Sequence, residues 1–134
     1  MKLVDKIKRI KKSKRKLVCL TAYSKPISKI LDKYCDILLV GDSMATAFYG
    51  MKSTREIKLD TMITHSISVK KALTKSILVF DMPFNTYKNI KNAKKNVREV
   101  FRKSRCDAVK FENNGKNFNI VKKIVESGVP VMGH

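Results

Sequence analysis

Five short apolar runs in this chain each end in residues that can bind or move charge. Thr21-Ala22-Tyr23 closes the first, Gly41-Asp42-Ser43 the second and Asp81-Met82-Pro83-Phe84 the third. Lys110-Phe111-Glu112 closes the fourth and Gly133-His134 the fifth. Three carboxylates, Asp42, Asp81 and Glu112, thus fall at successive run ends with Lys110 among them. Taken singly, each Asp is at home as a helix cap or turn residue. As a set they repel one another unless protons or a cation intervene. A hard divalent ion with oxygen ligands, Mg²⁺ above all, answers that need and leaves positions open for substrate oxygens. Cys and His are missing from these ends until His134, which argues against zinc. Lys110, inside such a run, needs Glu112 or an anionic ligand as partner, because a buried unpaired ammonium is costly. The chemistry indicated is an anion and metal site.

These positions need a scaffold that brings run ends together. Segments 17–22, 36–41, 76–80, 107–111 and 129–132 are short and apolar, as strands buried on both faces are, the first included. Helical patterns separate them. Pro26 opens one that carries Ile27, Ile30, Leu31 and Tyr34. Segment 60–73 follows with Asp60 or Thr61 as its cap, then 88–105, then 118–127, which Gly128 ends. Strand–helix alternation without hairpin signals gives an α/β fold with a parallel sheet and crossover helices. In such folds the carboxyl ends of the strands form the site-bearing face. The one long connection, 42–59, has the length of a functional loop.

Composition narrows the class. The chain has 134 residues, 43% hydrophobic, with a formal net charge of +19. That suits one folded domain rather than a disordered polycation. No apolar window reaches the ~18 residues of a spanning helix, and no apolar stretch follows the basic start as a secretory signal requires. Cys19, Cys35 and Cys106 form no CxxC pair and read as small buried hydrophobes in a reducing, cytoplasmic setting. Segments 1–16 and 88–105 carry +8 and +7 of the charge. Both have apolar residues at helical spacing, so their lysines fill the outer faces of amphipathic helices. A non-catalytic basic protein binding RNA or another polyanion is the alternative. It predicts a steep salt dependence, and no aromatic stacking residues interleave with the lysines to favour it.

The run ends also carry a resemblance. TAY at 21–23, VGDS at 40–43, Met62-Ile63-Thr64-His65, DMPF at 81–84, VKFE at 109–112 and VPVMGH at 129–134 resemble the ketopantoate hydroxymethyltransferase family. The likeness runs from about residue 2 to the last. It implies a (β/α)8 TIM barrel after an N-terminal helix, here incomplete, with about five strands. On this reading 1–16 is a basic N-terminal helix or extension and 17–134 the N-terminal part of the barrel. The activity implied is transfer of a hydroxymethyl group from 5,10-methylenetetrahydrofolate to 3-methyl-2-oxobutanoate, giving 2-dehydropantoate for pantothenate and coenzyme A. The resemblance implies Asp42 and Asp81 as Mg²⁺ ligands with Glu112 completing the acidic side. It implies Ser43 and Lys110, with the two aspartates, as the residues that hold the ketoacid, and His134 as a neighbour of the site. It also implies a homo-oligomer in the full-length family.

Departures from the family pattern are specific. Ser24 replaces the usual Asp after TAY, and Asn113-Asn114 replace Gly-Gly after the VKxE motif, where Asn tolerates a left-handed backbone. The long loop keeps Gly50, Ser53 and Thr54 but continues with Arg55-Glu56, which alters the residues that would close over substrate. A barrel of this type takes about 250 residues, and the family's general-base Glu lies beyond residue 134. No catalytic base is therefore assigned here, and the 134-residue chain alone is expected to lack turnover. His65, on a helical pattern, reads as a hydrogen-bonded structural histidine.

Overall fold

The computed structural model describes residues 3–113 and 115–134. In chain order these form α1 (Leu3–Lys12), β1 (Cys19–Thr21), α2 (Lys25–Leu31), β2 (Ile37–Val40), α3 (Met44–Ala47), a 3₁₀ turn (Thr54–Glu56) and α4 (Leu59–Lys70). Then come β3 (Ile77–Asp81), α5 (Ile90–Ser104), β4 (Ala108–Phe111), α6 (Phe118–Glu126) and β5 (Val131–Gly133). The strands make one parallel sheet in sequence order, β1-β2-β3-β4-β5. All five run ends therefore emerge on the same side, as the alternation pattern predicts.

Alternation along each strand divides the core in two. Val40, Leu78, Phe80, Val109 and Phe111 face the helices, where Met62, Ile63, Val69, Ala93, Val97, Val100 and Ile124 cover them. Ile37, Ile77, Val79 and Ala108 form the other face, and Leu3 and Ile7 of α1 pack onto it together with Leu39 and Met132. The basic first helix is thus anchored by its apolar side. Arg15 then pairs with Asp36 at the head of β2 through two hydrogen bonds of 2.7 and 2.9 Å. Asp32 ties the end of α2 to the start of β3. It accepts from the backbone N–H of Thr74 and Ser76, both at 2.8 Å, and from the Thr74 hydroxyl at 2.7 Å.

α5 shows why its lysines look outward. Ala93, Val97 and Val100 are buried, while Lys91, Lys95, Arg98 and Arg102 are exposed and Lys94 is half-buried. Asn89 caps its first turn, accepting from the Asn92 N–H at 2.8 Å. Arg105 ends it in the left-handed region at φ 52°. Among the described residues no helix is long and apolar enough to cross a membrane.

Several expectations need correction. β1 is exposed throughout rather than buried on both faces, because it pairs only with β2. Of the apolar positions after Pro26, Leu31 is half-buried but Ile27, Ile30 and Tyr34 are 51%, 60% and 71% exposed. Cys19 is likewise exposed, whereas Cys35 and Cys106 are buried. Neither Asp60 nor Thr61 caps the fourth helix: it begins at Leu59, with Lys58 in the extended cap position and no side-chain bond. The 42–59 connection is not an open loop but holds α3 and the 3₁₀ turn. A capping box makes that turn: the Arg55 N–H bonds to Ser53 Oγ at 3.2 Å, and Glu56 Oε1 takes the Ser53 N–H at 2.8 Å. Asn114, read from sequence as tolerating a left-handed turn, lies outside the described residues.

Candidate active site

Parallel pairing sets Asp81, the last residue of β3, opposite Lys110 of β4. Both side chains point to the same sheet face, and Lys110 Nζ donates to Asp81 Oδ2 at 2.7 Å. The pair is buried, with 12% of the Lys110 side chain and 3% of that of Asp81 exposed. Glu112 is therefore not the partner of Lys110, contrary to one of the two sequence expectations. β4 ends at Phe111, so Glu112 leaves the strand's alternation and turns to solvent. Its carboxylate lies 3.9 Å from Nδ1 of His134, the last residue after β5.

Asp42 stands just past β2 and is half-buried. Its carboxylate accepts from the Thr54 hydroxyl and the Ser43 N–H, yet burial and the nearby Glu112 hold its pKa above the usual carboxylate value. Burial likewise pushes Asp81 up. Lys110 pulls it down and Asp42 pushes it up again, while the Asp42 N–H bonds to it. Asp42 and Asp81 are thus neighbours whose joint negative charge is incompletely offset. Among the described residues, however, no three His, Cys, Asp or Glu side chains gather closely enough to enclose a metal ion. Glu112 contributes to the field at Asp42 from the side.

Ser43 occupies the cap position of α3, but its hydroxyl makes no capping bond. It is held instead by the Tyr23 hydroxyl, 2.8 Å away. Gly41 makes this approach fit, since a Cβ there would stand 3.0 Å from Ser43 Oγ. His65 is structural, as its sequence context indicated. Its Nδ1 lies 2.6 Å from the Tyr23 carbonyl oxygen and its Nε2 2.7 Å from the Tyr49 hydroxyl. The TAY and MITH segments therefore meet behind Ser43.

A cavity of about 380 Å³ opens over the ends of β2, β3 and β4. Asp42, Thr54, Met82 and Glu112 line it. So do Phe84, the last residue of the DMPF motif, and residues that the spacing of reactive types did not single out: Tyr87, Lys88, Lys116 and Asn117. Arg55, noted in the sequence only as a departure, also lines it, with its guanidinium 4.6 Å from the centre of the Phe84 ring. Tyr87 packs edge-on against Phe111 with ring centres 5.0 Å apart. Burial raises its phenol pKa, with Glu112 and Asp81 adding to the effect. Asn117 Nδ2 donates to the Glu112 carbonyl at 2.6 Å, and its buried Oδ1 has no partner. Ser43, Asp81, Lys110 and His134 do not line this cavity. Asp42 connects the first two to its wall.

Comparison with known proteins follows the same boundaries. The sequence profile of the family described as ketopantoate hydroxymethyltransferase matches residues 2–134. The 3-methyl-2-oxobutanoate hydroxymethyltransferase of Pelagibacter ubique is 47% identical over 124 residues, covering 92% of this chain and 48% of that protein. The enzyme of the same name from Brucella suis is 38% identical over 134 residues, covering 99% of this chain and 49% of the relative. The chain spans about half the length of the curated relatives it matches. Among solved structures, a phosphonopyruvate hydrolase in complex with oxalate and Mg²⁺ superposes with a TM-score of 0.69 at 13% identity, over 87% of this chain and 40% of the other. A 2,3-dimethylmalate lyase of the PEP mutase/isocitrate lyase superfamily gives 0.67 at 12% identity, over 99% and 53%. At such identities the likeness is one of fold: five consecutive parallel β/α units as they occur in TIM-barrel enzymes.

Proposed function

We propose a function from one premise: the chain belongs to the ketopantoate hydroxymethyltransferase family. The ends of β2, β3 and β4, with the cavity that opens beside them at Asp42, form the ketoacid side of a site for transfer of a hydroxymethyl group from 5,10-methylenetetrahydrofolate to 3-methyl-2-oxobutanoate. The observation that carries this reading is the arrangement of Asp42 and Asp81. They are adjacent carboxylates at two strand ends, both held above their ordinary pKa, and Asp81 is paired with the buried Lys110.

Two aspartates with no Cys or His beside them suit a hard cation, and Mg²⁺ needs only one or two protein carboxylates when substrate and water supply the rest. Asp42 and Asp81 would hold it, with Glu112 adding negative charge from the side. Once bound, the ion would polarise the ketoacid carbonyl and so acidify its C3 proton. The chain's own side chains do the positioning. The Ser43 hydroxyl, hydrogen-bonded to that of Tyr23, would donate to a substrate carboxylate. Lys110 supplies a point charge to that anion. A cytoplasmic setting, the folate co-substrate and homo-oligomeric assembly belong to the same proposal, and the three free cysteines agree with a reducing compartment.

Calorimetric titration of 3-methyl-2-oxobutanoate into the full chain tests the assignment. Binding is expected to need Mg²⁺ and to weaken at least about tenfold, the equivalent of 1.4 kcal/mol, in Asp42→Asn. Binding that ignores Mg²⁺, or no binding at all, overturns it.

A further inference from the structure

The cavity lining carries charges of both signs. Arg55 and Lys88 line it opposite in charge to Asp42 and Glu112, and among the described residues no carboxylate pairs with either cation. Arg55 is not a freely solvated surface charge. Its backbone is fixed by the capping box, and the acid beside it in sequence, Glu56, is committed to the Ser53 N–H. Its guanidinium lies over the Phe84 ring, 4.6 Å from the centre, a contact that holds the charge in place without spending it on a carboxylate. Asn117 adds to the lining a buried Oδ1 with no partner, an acceptor for an amide N–H. The lysines of α5 show none of this: they stand along one helix face with Glu99 among them, and Glu99 is itself paired to Lys103 at 2.6 Å.

We propose that Arg55 and Lys88 form an anion-binding rim that takes the glutamyl carboxylates of the reduced-folate co-substrate as its tail leaves the cavity. This rests on the function proposed above and goes beyond it by naming the residues that select the tail. A pteroylglutamate carries groups of the kinds this lining can take. Its one-carbon-bearing end must meet the ketoacid at the acidic side. Its amide and two carboxylates extend away from that point. The rim residues are exposed, so the tail would bind at the mouth without full desolvation, and each added glutamate would find the same cationic surface.

Fluorescence titration of the full chain, with Mg²⁺ and 3-methyl-2-oxobutanoate present, tests the rim with three probes. These are tetrahydropteroate, which lacks glutamate, tetrahydrofolate, and its tri-γ-glutamate. The wild type should bind tetrahydrofolate on the order of tenfold more tightly than tetrahydropteroate, as charge-assisted pairing gives, and the triglutamate more tightly still. Arg55→Met, which keeps a long side chain over Phe84, and Lys88→Met should each bring the ratios toward one, more so at low salt. Lys94→Met on α5 should leave them unchanged. Equal ratios in wild type and both rim variants overturn the rim assignment alone. Failure of all three probes to bind overturns the assignment together with the folate reading. If Arg55→Met loses its fold by circular dichroism, Lys88→Met, in an exposed loop, decides.

Discussion

Lys110 and Asp81 face each other across the β3–β4 register, and their 2.7 Å contact is the one buried ion pair described in the sheet. Neither charge could remain alone at that depth, because removing one partner leaves the other desolvated and uncompensated. Lys110→Met should therefore destabilise the chain by about 3–5 kcal/mol. Asp81→Asn combined with Lys110→Met should cost clearly less than the sum of the two single changes. Urea unfolding of the four proteins measures this coupling. Additive losses would mean that the pair does not act as a unit.

Gly41 offers a milder test of the same region. A methyl group there would press on Ser43 Oγ at 3.0 Å, with Leu39 Cδ2 and Thr21 Cγ2 next at 3.8 Å. The smallest adjustment is rotation of the Ser43 hydroxyl away from Tyr23. An off-rotamer side chain costs about 0.5–1.5 kcal/mol, so Gly41→Ala should weaken ketoacid binding several-fold while lowering the unfolding midpoint by only a few degrees. Calorimetry beside a melting curve separates the two effects. Loss of fold with unchanged affinity would contradict the expected order.

Asp36 gives a pH dependence whose sign is fixed by its partners. Two hydrogen bonds from Arg15 and one from the Val18 N–H lower its pKa from 3.8 to about 2. A carboxyl depressed in the folded state stabilises the fold above its unfolded pKa, and that contribution disappears as pH falls through the folded one. The stability gap between wild type and Asp36→Asn should thus be full above about pH 5 and close progressively toward pH 2. Asp32, also held low, titrates in both proteins and cancels from the comparison. Unfolding curves taken between those limits provide the measurement.

The legibility of this chain follows what each signal encodes. Strands such as 76–80 and helices such as 88–105 are visible because their apolar period and length are local properties. So are the acids and lysine at the strand ends. What covers a surface is not local. Ile27, Ile30 and Tyr34 have helical spacing, yet spacing does not say what stands against them, and they are exposed. β1 has the composition of an interior strand but pairs on only one side. The choice of Asp81 over Glu112 as partner of Lys110 depended on strand register, which no single strand specifies. Tyr87 and Asn117 enter the cavity from loops beyond β3 and β4, where no period predicts orientation. Arg55 differs: its place directly after Ser53-Thr54 in a loop from the site is a signal, and only its stacking on Phe84 needed the fold.

α1 carries a prediction about the basic N-terminal segment. Leu3 and Ile7 cover Ile37, Ile77, Val79 and Ala108, so this helix shields one face of the sheet instead of trailing from it. Ile7 is half-buried, and Ile7→Ala should cost about 1–2 kcal/mol, below the range for a fully buried position. Replacing exposed Lys8 with Ala should change stability by no more than about 0.5 kcal/mol. Equal effects in urea unfolding would show that the helix does not dock.

Asp42 is where function and stability should part. Its carboxylate is held above the ordinary pKa by burial and by Glu112, so its charged form is disfavoured in the folded chain. Asp42→Asn removes that charge and keeps an acceptor for the Thr54 hydroxyl, so stability without metal should be unchanged or slightly higher. Mg²⁺ that binds only the folded wild type should raise its melting temperature by several degrees, as mass action requires. The variant should show no such rise. Differential scanning calorimetry with and without Mg²⁺ reads both quantities at once. A variant that is strongly destabilised, or that still gains from Mg²⁺, would remove Asp42 from the metal assignment and leave Asp81 to carry it.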